Sequence, residues 1–278
     1  MRVKRILDGR YELLELVGKG GLGTVYRAHD HEEDKTVAIK IVPPSGSAGQ
    51  SRLMHEARVM ANLQIEGVPK WYASFMDRGM VHLVQEYIPG APLGTWQAGR
   101  GEEEILQVYL ALTRILSLLH EQGIVHRDLK AENVLVSATA GGPVPRLLDL
   151  GLAIDPDNSD SSLTGTGFVV GTVVYMAPEQ LTGDPITDKA DVYALGLMLY
   201  EALMGETPWP SRSPMKLMIA KVEHALPPTL HDHLDRLQGK GLAKLIPRMI
   251  DREPSVRPTA QQAVDALQVA YDSLRSLT

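Results

Sequence analysis

Three glycines, Gly18, Gly20 and Gly23, form a G-x-G-x-x-G pattern in the stretch LVGKGGLGTVY. Glycine has no side chain to block close approach, so the backbone amides of such a loop can bind nucleotide phosphates. A strand–loop–helix dinucleotide site, a lid between two strands and an ordinary turn all contain this pattern. The residues TVY after Gly23 are β-branched or aromatic and begin helices poorly. The loop is therefore predicted to be a hairpin, which on its own favours a structural turn.

A lysine in an apolar strand is the second candidate. Lys40 ends the segment VAIK, and its ammonium could point beneath the glycine hairpin. A buried lysine requires an anionic partner, and Glu56, in a helix predicted over residues 51–64, is the expected one. Both residues also have a simpler interpretation, Lys40 as a solvated lysine and Glu56 as part of an exposed helix face.

Two polar clusters lie among apolar, strand-like residues. The stretch IVHRDLKAENVLV, residues 124–136, crowds polar groups that need mutual partners or ligands, because their burial otherwise costs free energy. In RLLDLGLA, Asp149 directly follows an apolar strand. A carboxylate at that position suits Mg²⁺, which prefers hard oxygen ligands and shares them with phosphates.

The elements that must position these residues differ between two parts of the chain. Residues 10–42, 71–76 and 80–86 are predicted to be strands. After the Pro- and Gly-containing segment YIPGAPLG the periodicity becomes helical. Helices are predicted for EEEILQVYLALTRILSLLHEQG, for DKADVYALGLMLYEALMG and for roughly 213–224, 240–251 and 259–275. We expect an α+β fold with a strand-rich N-terminal lobe and a larger helical C-terminal lobe.

Length, charge and composition exclude several classes of protein. The 278 residues suffice for one large domain or two lobes. A net charge of -6 provides no basic field for nucleic acid or an anionic membrane, and the absence of cysteine excludes disulfides and thiolate zinc sites. No segment approaches the ~20 apolar residues of a membrane span. We expect a cytoplasmic location, which is compatible with a membrane tether elsewhere in a longer chain.

Taken together, the motifs resemble those of the eukaryotic-like (Hanks-type) serine/threonine protein kinases. Seven motifs occur in the family order from about Tyr11 to Leu274: GKGGLG, VAIK, HRDLKAEN, DLG, GTVVYMAPE, DVYALG and RP. The wording of GGLGTVY and APEQ resembles bacterial members. The resemblance implies a two-lobed kinase-like fold, with an N-lobe over 1–88 that carries one main helix and a C-lobe over 89–278.

The resemblance also implies how ATP would be bound. Lys40, paired with Glu56, would contact the α- and β-phosphates. Glycine-loop amides would cover the phosphates, apolar side chains would lie against the adenine, and backbone near Glu86 would bind its edge. The other implied ATP contacts are Val17, Gly18, Lys19, Gly20, Gly21, Gly23, Val25, Ala38, Glu86, Ile88 and Leu135.

The chemistry is assigned by the same resemblance. Asp128 would accept the proton of the attacking hydroxyl or orient it, and Lys130 would neutralise charge on the γ-phosphoryl group. Asp149 and Asn133 would bind Mg²⁺, for which Mn²⁺ could substitute. The lysine two residues after Asp128 is typical of serine/threonine kinases, whereas tyrosine kinases resemble HRDLAARN. The implied substrates are therefore protein Ser or Thr hydroxyls, with no nucleic-acid partner.

Regulation and scaffold residues follow from the same motifs. In the activation loop, residues 149–179, Thr164 and Thr166 are the candidate autophosphorylation sites, and a phosphate there would pair with Arg127. A homodimer would allow this reaction in trans. Incidental hydroxyls in a polar loop are the competing interpretation. Three further residues resemble structural ones rather than catalytic ones, namely the Glu179–Arg257 ion pair and Asp191, which would bind the catalytic-loop backbone.

Three other functions remain to be compared with this one. A pseudokinase scaffold would bind nucleotide without phosphoryl transfer, but the candidate catalytic residues are all present. A small-molecule phosphotransferase usually lacks the APE segment found here. A purely helical interaction domain leaves the HRDLKAEN and DLG clusters unexplained.

Overall fold

The structure is a computed structural model that describes residues 5–20, 23–43, 57, 61–150, 170–209, 213–223, 230, 233, 236 and 241–276. The chain divides into two compact units, Met1–Pro89 and Gly90–Thr278. The kinase lobes assigned to 1–88 and 89–278 stay a prediction.

The N-terminal unit is built on one antiparallel sheet of six strands, in the order β1-β2-β3-β4-β6-β5. The strands are β1 (Ile6–Leu7), β2 (Tyr11–Gly20), β3 (Gly23–Asp30), β4 (Lys35–Val42), β5 (Trp71–Asp77) and β6 (Met80–Glu86). Side chains alternate across a strand, so Val37, Ile39 and Ile41 of β4 share one face, where they join the core. Lys40, between two of them, lies on the other face and is half-buried.

The helix predicted over residues 51–64 falls mostly outside the described residues. The same holds for Glu56, the expected partner of Lys40, and for Gly21 of the glycine loop.

The C-terminal unit is mainly helical. Its helices among the described residues are α1 (Leu93–Trp96), α2 (Glu102–Glu121), α3 (Val170–Tyr175), α4 (Pro178–Thr182), α5 (Lys189–Met204), α6 (Pro214–Glu223), α7 (Leu242–Met249) and α8 (Ala260–Arg275), with 3-10 turns at Ala131–Asn133 and Pro254–Val256. A small antiparallel sheet, in the order β7-β8-β9, adds β7 (Ala91–Pro92), β8 (Val134–Thr139) and β9 (Gly142–Leu147). The sequence-based helices after residue 100 are thereby confirmed, and so is the α+β class.

Helix α5 forms the centre of this unit because its sequence is apolar on every side. Every residue from Ala190 to Tyr200 is buried, as expected of a helix surrounded by protein. Its Gly196 lies directly against α7: an added Cβ would be 2.7 Å from the Cβ of Met249 and 2.8 Å from Cγ2 of Ile250. The missing side chain therefore allows the two helices to pack in close contact.

None of the helices in the described part of the chain combines the length and the apolar character that a membrane crossing requires.

Candidate active site

The glycine loop joins β2 to β3, and these strands pair antiparallel up to Gly20 opposite Gly23. The predicted hairpin is confirmed. Gly23 has a φ of 142°, and a Cβ there would collide with the backbone oxygen of Ile41. A Cβ on Gly18 would meet nothing within 4 Å. Gly23 is thus required by the packing of the hairpin on β4, whereas Gly18 leaves its surroundings open.

Five further candidate ATP contacts of the N-terminal unit lie on β2, β3 and β4. Lys40 pairs in register with Val25, and Ala38, which is buried, pairs with Arg27. Val17 and Lys19 of β2 are exposed. Because Val25 and Ala38 stand on neighbouring strands two residues out of register, they lie close together on one face.

Glu86, at the end of β6, has both its amide and its side chain occupied within the unit. Its N–H donates to the backbone oxygen of Lys70 at 2.7 Å, and its carboxylate accepts from the Lys70 N–H at 3.1 Å. Ile88 nearby is buried. The Glu86 side chain therefore anchors the strand end, and its backbone N–H is already hydrogen-bonded to Lys70.

In the C-terminal unit the candidate catalytic residues form one cluster. Nζ of Lys130 lies 2.6 Å from Oδ2 of Asp128, and the amide nitrogen of Asn133 donates to the same Oδ2 at 3.2 Å and to the Asp128 backbone oxygen at 2.8 Å. The Asp128 and Lys130 side chains are 21% and 23% exposed. Within the described residues, both side-chain contacts fall on Oδ2. The geometry therefore leaves Oδ1 as a proton acceptor on a partly open loop.

Asp191, at the start of α5, holds the backbone of this loop. One of its oxygens accepts from the His126 amide at 2.8 Å and from Nε2 of His120 at 2.8 Å, and the other accepts from the Arg127 amide at 2.9 Å. Asp191 is buried, so its charge is balanced by these three donors. The predicted contact between Asp191 and the catalytic-loop backbone is confirmed.

Two hydrogen bonds connect the catalytic loop to the residue before Asp149. Nε2 of the buried His126 lies 2.9 Å from the backbone oxygen of Leu148. The backbone N–H of Leu148 donates to the backbone oxygen of Asn133 at 2.7 Å. The Asp128 amide approaches Nδ1 of His126 at 3.3 Å, so the ring donates through Nε2. These bonds hold Leu148, the residue before Asp149, against the catalytic loop. Leu135 follows in β8 and is half-buried.

Asp149 and Arg127 both have left-handed backbones, with φ values of 56° and 65°. This conformation is unfavourable for residues with a Cβ and persists where the surroundings enforce it. At Arg127, Asp191 holds the amide, and the side chain of Gln180 donates to the carbonyl at 2.8 Å.

The buried ion pair of the C-terminal unit is also present. Arg257 donates through NH1 and NH2 to the two Glu179 oxygens, at 2.6 and 2.8 Å. Both residues are buried. The pair is a bidentate, buried contact between side chains, in agreement with the predicted structural role.

One cluster near the catalytic loop was missed by the sequence analysis. Lys221 of α6 is buried and donates to the backbone oxygens of Val174 and Met176, while the Tyr175 hydroxyl between them donates to Glu201 at 2.6 Å. Burial, followed by the bond to Glu201, raises the pKa of Tyr175 above its ordinary value. The signal was present in the sequence: Lys221 follows the buried Leu217 by four residues and so shares the apolar face of α6.

Thr164 and Thr166, the candidate phosphosites, lie outside the described residues.

Comparison with known proteins places this combination of units in one family. Residues 11–267 match the family model described as Protein kinase domain. The chain is 33% identical over 292 residues to the serine/threonine-protein kinase pkn2 of Myxococcus xanthus, covering 98% of this chain and 34% of that protein. The chain belongs to the protein kinase domain family, so the predicted two-lobed kinase fold is confirmed.

Two other bacterial relatives agree with this assignment. The chain is 35% identical over 237 residues to drp72 of Corynebacterium efficiens, covering 81% of this chain and 45% of that protein. It is 33% identical over 254 residues to the serine/threonine-protein kinase PknB of Mycobacterium tuberculosis, covering 86% and 40%. The chain thus spans between about a third and a half of the length of these relatives, and their bacterial origin agrees with the sequence-based expectation.

Proposed function

We propose that this chain is the catalytic domain of an ATP-dependent serine/threonine protein kinase, which transfers the γ-phosphoryl group of ATP to Ser or Thr hydroxyls of proteins. The observation that carries the proposal is the carboxylate of Asp128, whose Oδ2 is paired to Lys130 at 2.6 Å while Oδ1 stays open among the described residues. The bacterial relatives pkn2 and PknB are named serine/threonine-protein kinases, which supports the same substrate class.

Each candidate side chain has a separate task in this proposal. Asp128 orients the acceptor hydroxyl and takes its proton at Oδ1, because Oδ2 is occupied. Lys130 places positive charge beside that carboxylate and neutralises the phosphoryl oxygens. In the N-terminal unit, the ammonium of Lys40 would bind phosphate oxygens, and the hairpin amides would do the same.

The donor set of the C-terminal unit fits a Mg²⁺ ion bound with the nucleotide. Among the described residues, the Asn133 side-chain amide makes two hydrogen bonds, both through its nitrogen, which leaves the amide oxygen as a hard ligand. The Asp149 carboxylate is a second oxygen ligand on the segment hydrogen-bonded to Asn133. Two such protein ligands are typical of Mg²⁺ that is shared with phosphates, and Mn²⁺ accepts the same ligands. When bound, the ion would neutralise phosphate charge.

Phosphate transfer from radiolabelled ATP to a generic acceptor protein, dephosphorylated casein, tests the proposal. Wild type should incorporate label, whereas Asp128→Asn and Lys40→Met should lose at least about a hundredfold in rate, the usual scale for a general base or a charge-stabilising group. Lys35→Met, on the same strand as Lys40, and the exposed Asp265→Asn are matched controls and should retain the wild-type rate.

The results of this assay distinguish an active kinase from a nucleotide-binding pseudokinase. Label persisting in both site variants would refute the site assignment. A wild type that binds ATP but transfers no label would instead identify a nucleotide-binding pseudokinase.

Autophosphorylation is the proposed regulation. We infer that Thr164 and Thr166 receive phosphate in trans from a second copy and that this phosphate pairs with Arg127. Because ATP and Mg²⁺ are supplied inside the cell, the proposal includes a cytoplasmic location. Peptide mass spectrometry after incubation with Mg·ATP should find phosphate on residues 163–168 with a rate that rises with protein concentration. Absence of phosphate there, with casein still phosphorylated, would refute the regulation alone.

A further inference from the structure

Lys221 is the one buried lysine among the described residues, and the mechanism above does not use it. It lies in the last turn of α6 and is 1% exposed. Its amino group donates to the backbone oxygen of Val174 at 2.5 Å and to that of Met176 at 2.7 Å. The rings of Tyr193 and Trp209 enclose it, with centroids 5.2 and 5.3 Å from Nζ. Such an amino group is held by directed contacts rather than by solvent.

Its two acceptors are the carbonyls at the end of a short helix. Helix α3 stops at Tyr175, and the last carbonyls of a helix have no partners within it. Lys221 satisfies one carbonyl of α3 and the first carbonyl beyond it. Burial lowers the pKa of Lys221, with Arg257 adding to the effect. The charged and the neutral amine both have at least two N–H donors, so both carbonyls stay satisfied in either state.

The segment that Lys221 holds lies beside the catalytic loop. Tyr175 and Met176 line a small cavity of about 10 Å³ together with Asp128 and Lys130. The Tyr175 hydroxyl is fixed to Glu201 of α5 at 2.6 Å. A polypeptide that presents a hydroxyl to Asp128 must therefore pass close to this segment.

Asp128 and the segment 174–176, which line the same cavity, are positioned by different contacts. Asp128 is positioned by Lys130, Asn133 and the loop contacts of Asp191, none of which involves α6. The 174–176 segment depends on α6 through Lys221 and on α5 through Tyr175. Loss of Lys221 should consequently move the segment while leaving the Asp128 cluster in place.

We propose that Lys221 is a positioning residue that fixes the segment Val174–Met176 beside Asp128 and thereby sets how tightly the acceptor polypeptide binds. The inference rests on the proposed kinase function and extends it from the hydroxyl group to the chain that carries it. It assigns to α6, a helix outside the catalytic loop, control over the affinity for protein substrates.

Steady-state kinetics of Lys221→Met test the inference, with casein as the acceptor and ATP hydrolysis without acceptor measured in parallel. The KM for casein should rise about tenfold, which corresponds to ~1.4 kcal/mol, within the range of a lost hydrogen bond. The KM for ATP and the acceptor-free hydrolysis rate should stay within about twofold of wild type. Lys216→Met removes an exposed lysine from the same helix and should change none of these values.

Two results would overturn the inference. One is an unchanged KM for casein in folded Lys221→Met. The other is an equal loss of casein phosphorylation and acceptor-free hydrolysis, which indicates a general structural defect.

A second variant covers a failure of Lys221→Met to fold, as judged by circular dichroism. Lys221→Gln keeps two N–H donors on a shorter side chain and should raise the KM for casein by a smaller factor than tenfold. Lys216→Gln is its control. Equal KM values for these two variants would refute the inference, whereas an inactive wild type would refute the proposed function instead.

Discussion

The carboxylate of Asp30 shows how a single buried charge is held in the N-terminal unit. Its two oxygens accept from Nε and NH2 of Arg10 at 2.6 and 2.7 Å, and the amide of Glu32 adds a third donor. The hydrogen bond from Arg10 is the main reason that the pKa of Asp30 is lowered. The unfolded chain binds a proton at this group more readily than the folded chain does, so folding is coupled to pH.

We therefore expect Asp30 to contribute to stability above the unfolded pKa of about 3.9 and to lose that contribution as the pH falls through its lower folded pKa. Asp30→Asn should lower the free energy of unfolding by about 1.5–3 kcal/mol at pH 7. The free energy of unfolding of this variant should also fall less steeply than that of the wild type as the pH is lowered. Urea unfolding between pH 2 and pH 7 measures both.

Asp34→Asn is the control for this prediction, because the Asp34 side chain is 96% exposed. Its only ion pair among the described residues is an exposed one with His29 at 3.5 Å, so Asp34→Asn should stay within about 0.5 kcal/mol of wild type from pH 2 to pH 7. An identical pH dependence of unfolding for Asp30→Asn and wild type would contradict the predicted coupling.

Arg257 is a second buried charge that is held by hydrogen-bonding partners, in this case in the C-terminal unit. Its guanidinium is fully buried, pairs with both oxygens of Glu179 and also donates to the backbone oxygens of Lys189, Asp251 and Arg252. Removing one partner of a buried pair leaves an uncompensated charge. Arg257→Met should therefore lower the free energy of unfolding by about 3–5 kcal/mol, measured by denaturant titration.

Arg252→Met, with a side chain 46% exposed, is the control and should cost little. The double variant Glu179→Met/Arg257→Met should recover part of the loss, because no lone charge stays buried. A single Arg257 variant as stable as wild type would show that the charge is not desolvated.

At the scale of elements, the packing of α5 on α7 depends on one glycine. Alanine normally stabilises a helix interior relative to glycine by about 1 kcal/mol. At Gly196 the new Cβ would meet side-chain carbons of Met249 and Ile250 at less than 3 Å. Overpacking of this kind costs about 1–3 kcal/mol, so Gly196→Ala should have a lower melting temperature than wild type.

Gly94 in α1 is the matched control, because its nearest neighbour would be the Cβ of Ala131 at 3.6 Å, an ordinary contact. Gly94→Ala should be neutral or slightly stabilising. Thermal unfolding followed by circular dichroism compares the two variants, and a Gly196→Ala protein that melts above wild type would contradict the steric explanation.

Long elements could be predicted from the sequence because their periodicity extends over several turns. The apolar spacing of α2 and α5, and the β-branched residues after Gly23, identified those elements. The Glu179–Arg257 pair and the role of Asp191 could be assigned from motifs. Strand β1 has only two residues and helix α3 only six, too few for a periodic signal. The bonds from Lys221 to Val174 and Met176 join residues more than forty positions apart, and no local pattern encodes such contacts.

At the scale of the whole molecule, the proposed function predicts that nucleotide binds the folded chain and therefore stabilises it against unfolding. A ligand present at a hundred times its dissociation constant adds about 2.7 kcal/mol to the free energy of unfolding. Calorimetry should therefore show a higher melting temperature for the wild type in the presence of Mg·ATP than in buffer alone.

The increase should be reduced in Lys40→Met and in Asp149→Asn, and Lys35→Met should behave as wild type. EDTA added with ATP should reduce the wild-type increase as well, because the proposed ligands bind nucleotide through the metal ion. A melting temperature unaffected by Mg·ATP would count against nucleotide binding of any kind.

The left-handed backbones of Arg127 and Asp149 connect stability to chemistry. Glycine adopts this conformation without steric cost, so glycine at either position should relieve about 1 kcal/mol of strain. The same change would delete the guanidinium or the carboxylate. A laboratory selection for thermal stability alone would therefore favour glycine at these positions, and the selected variants would lack the side chains proposed to bind phosphate or Mg²⁺. Directed evolution of this domain would need to measure kinase activity in every round.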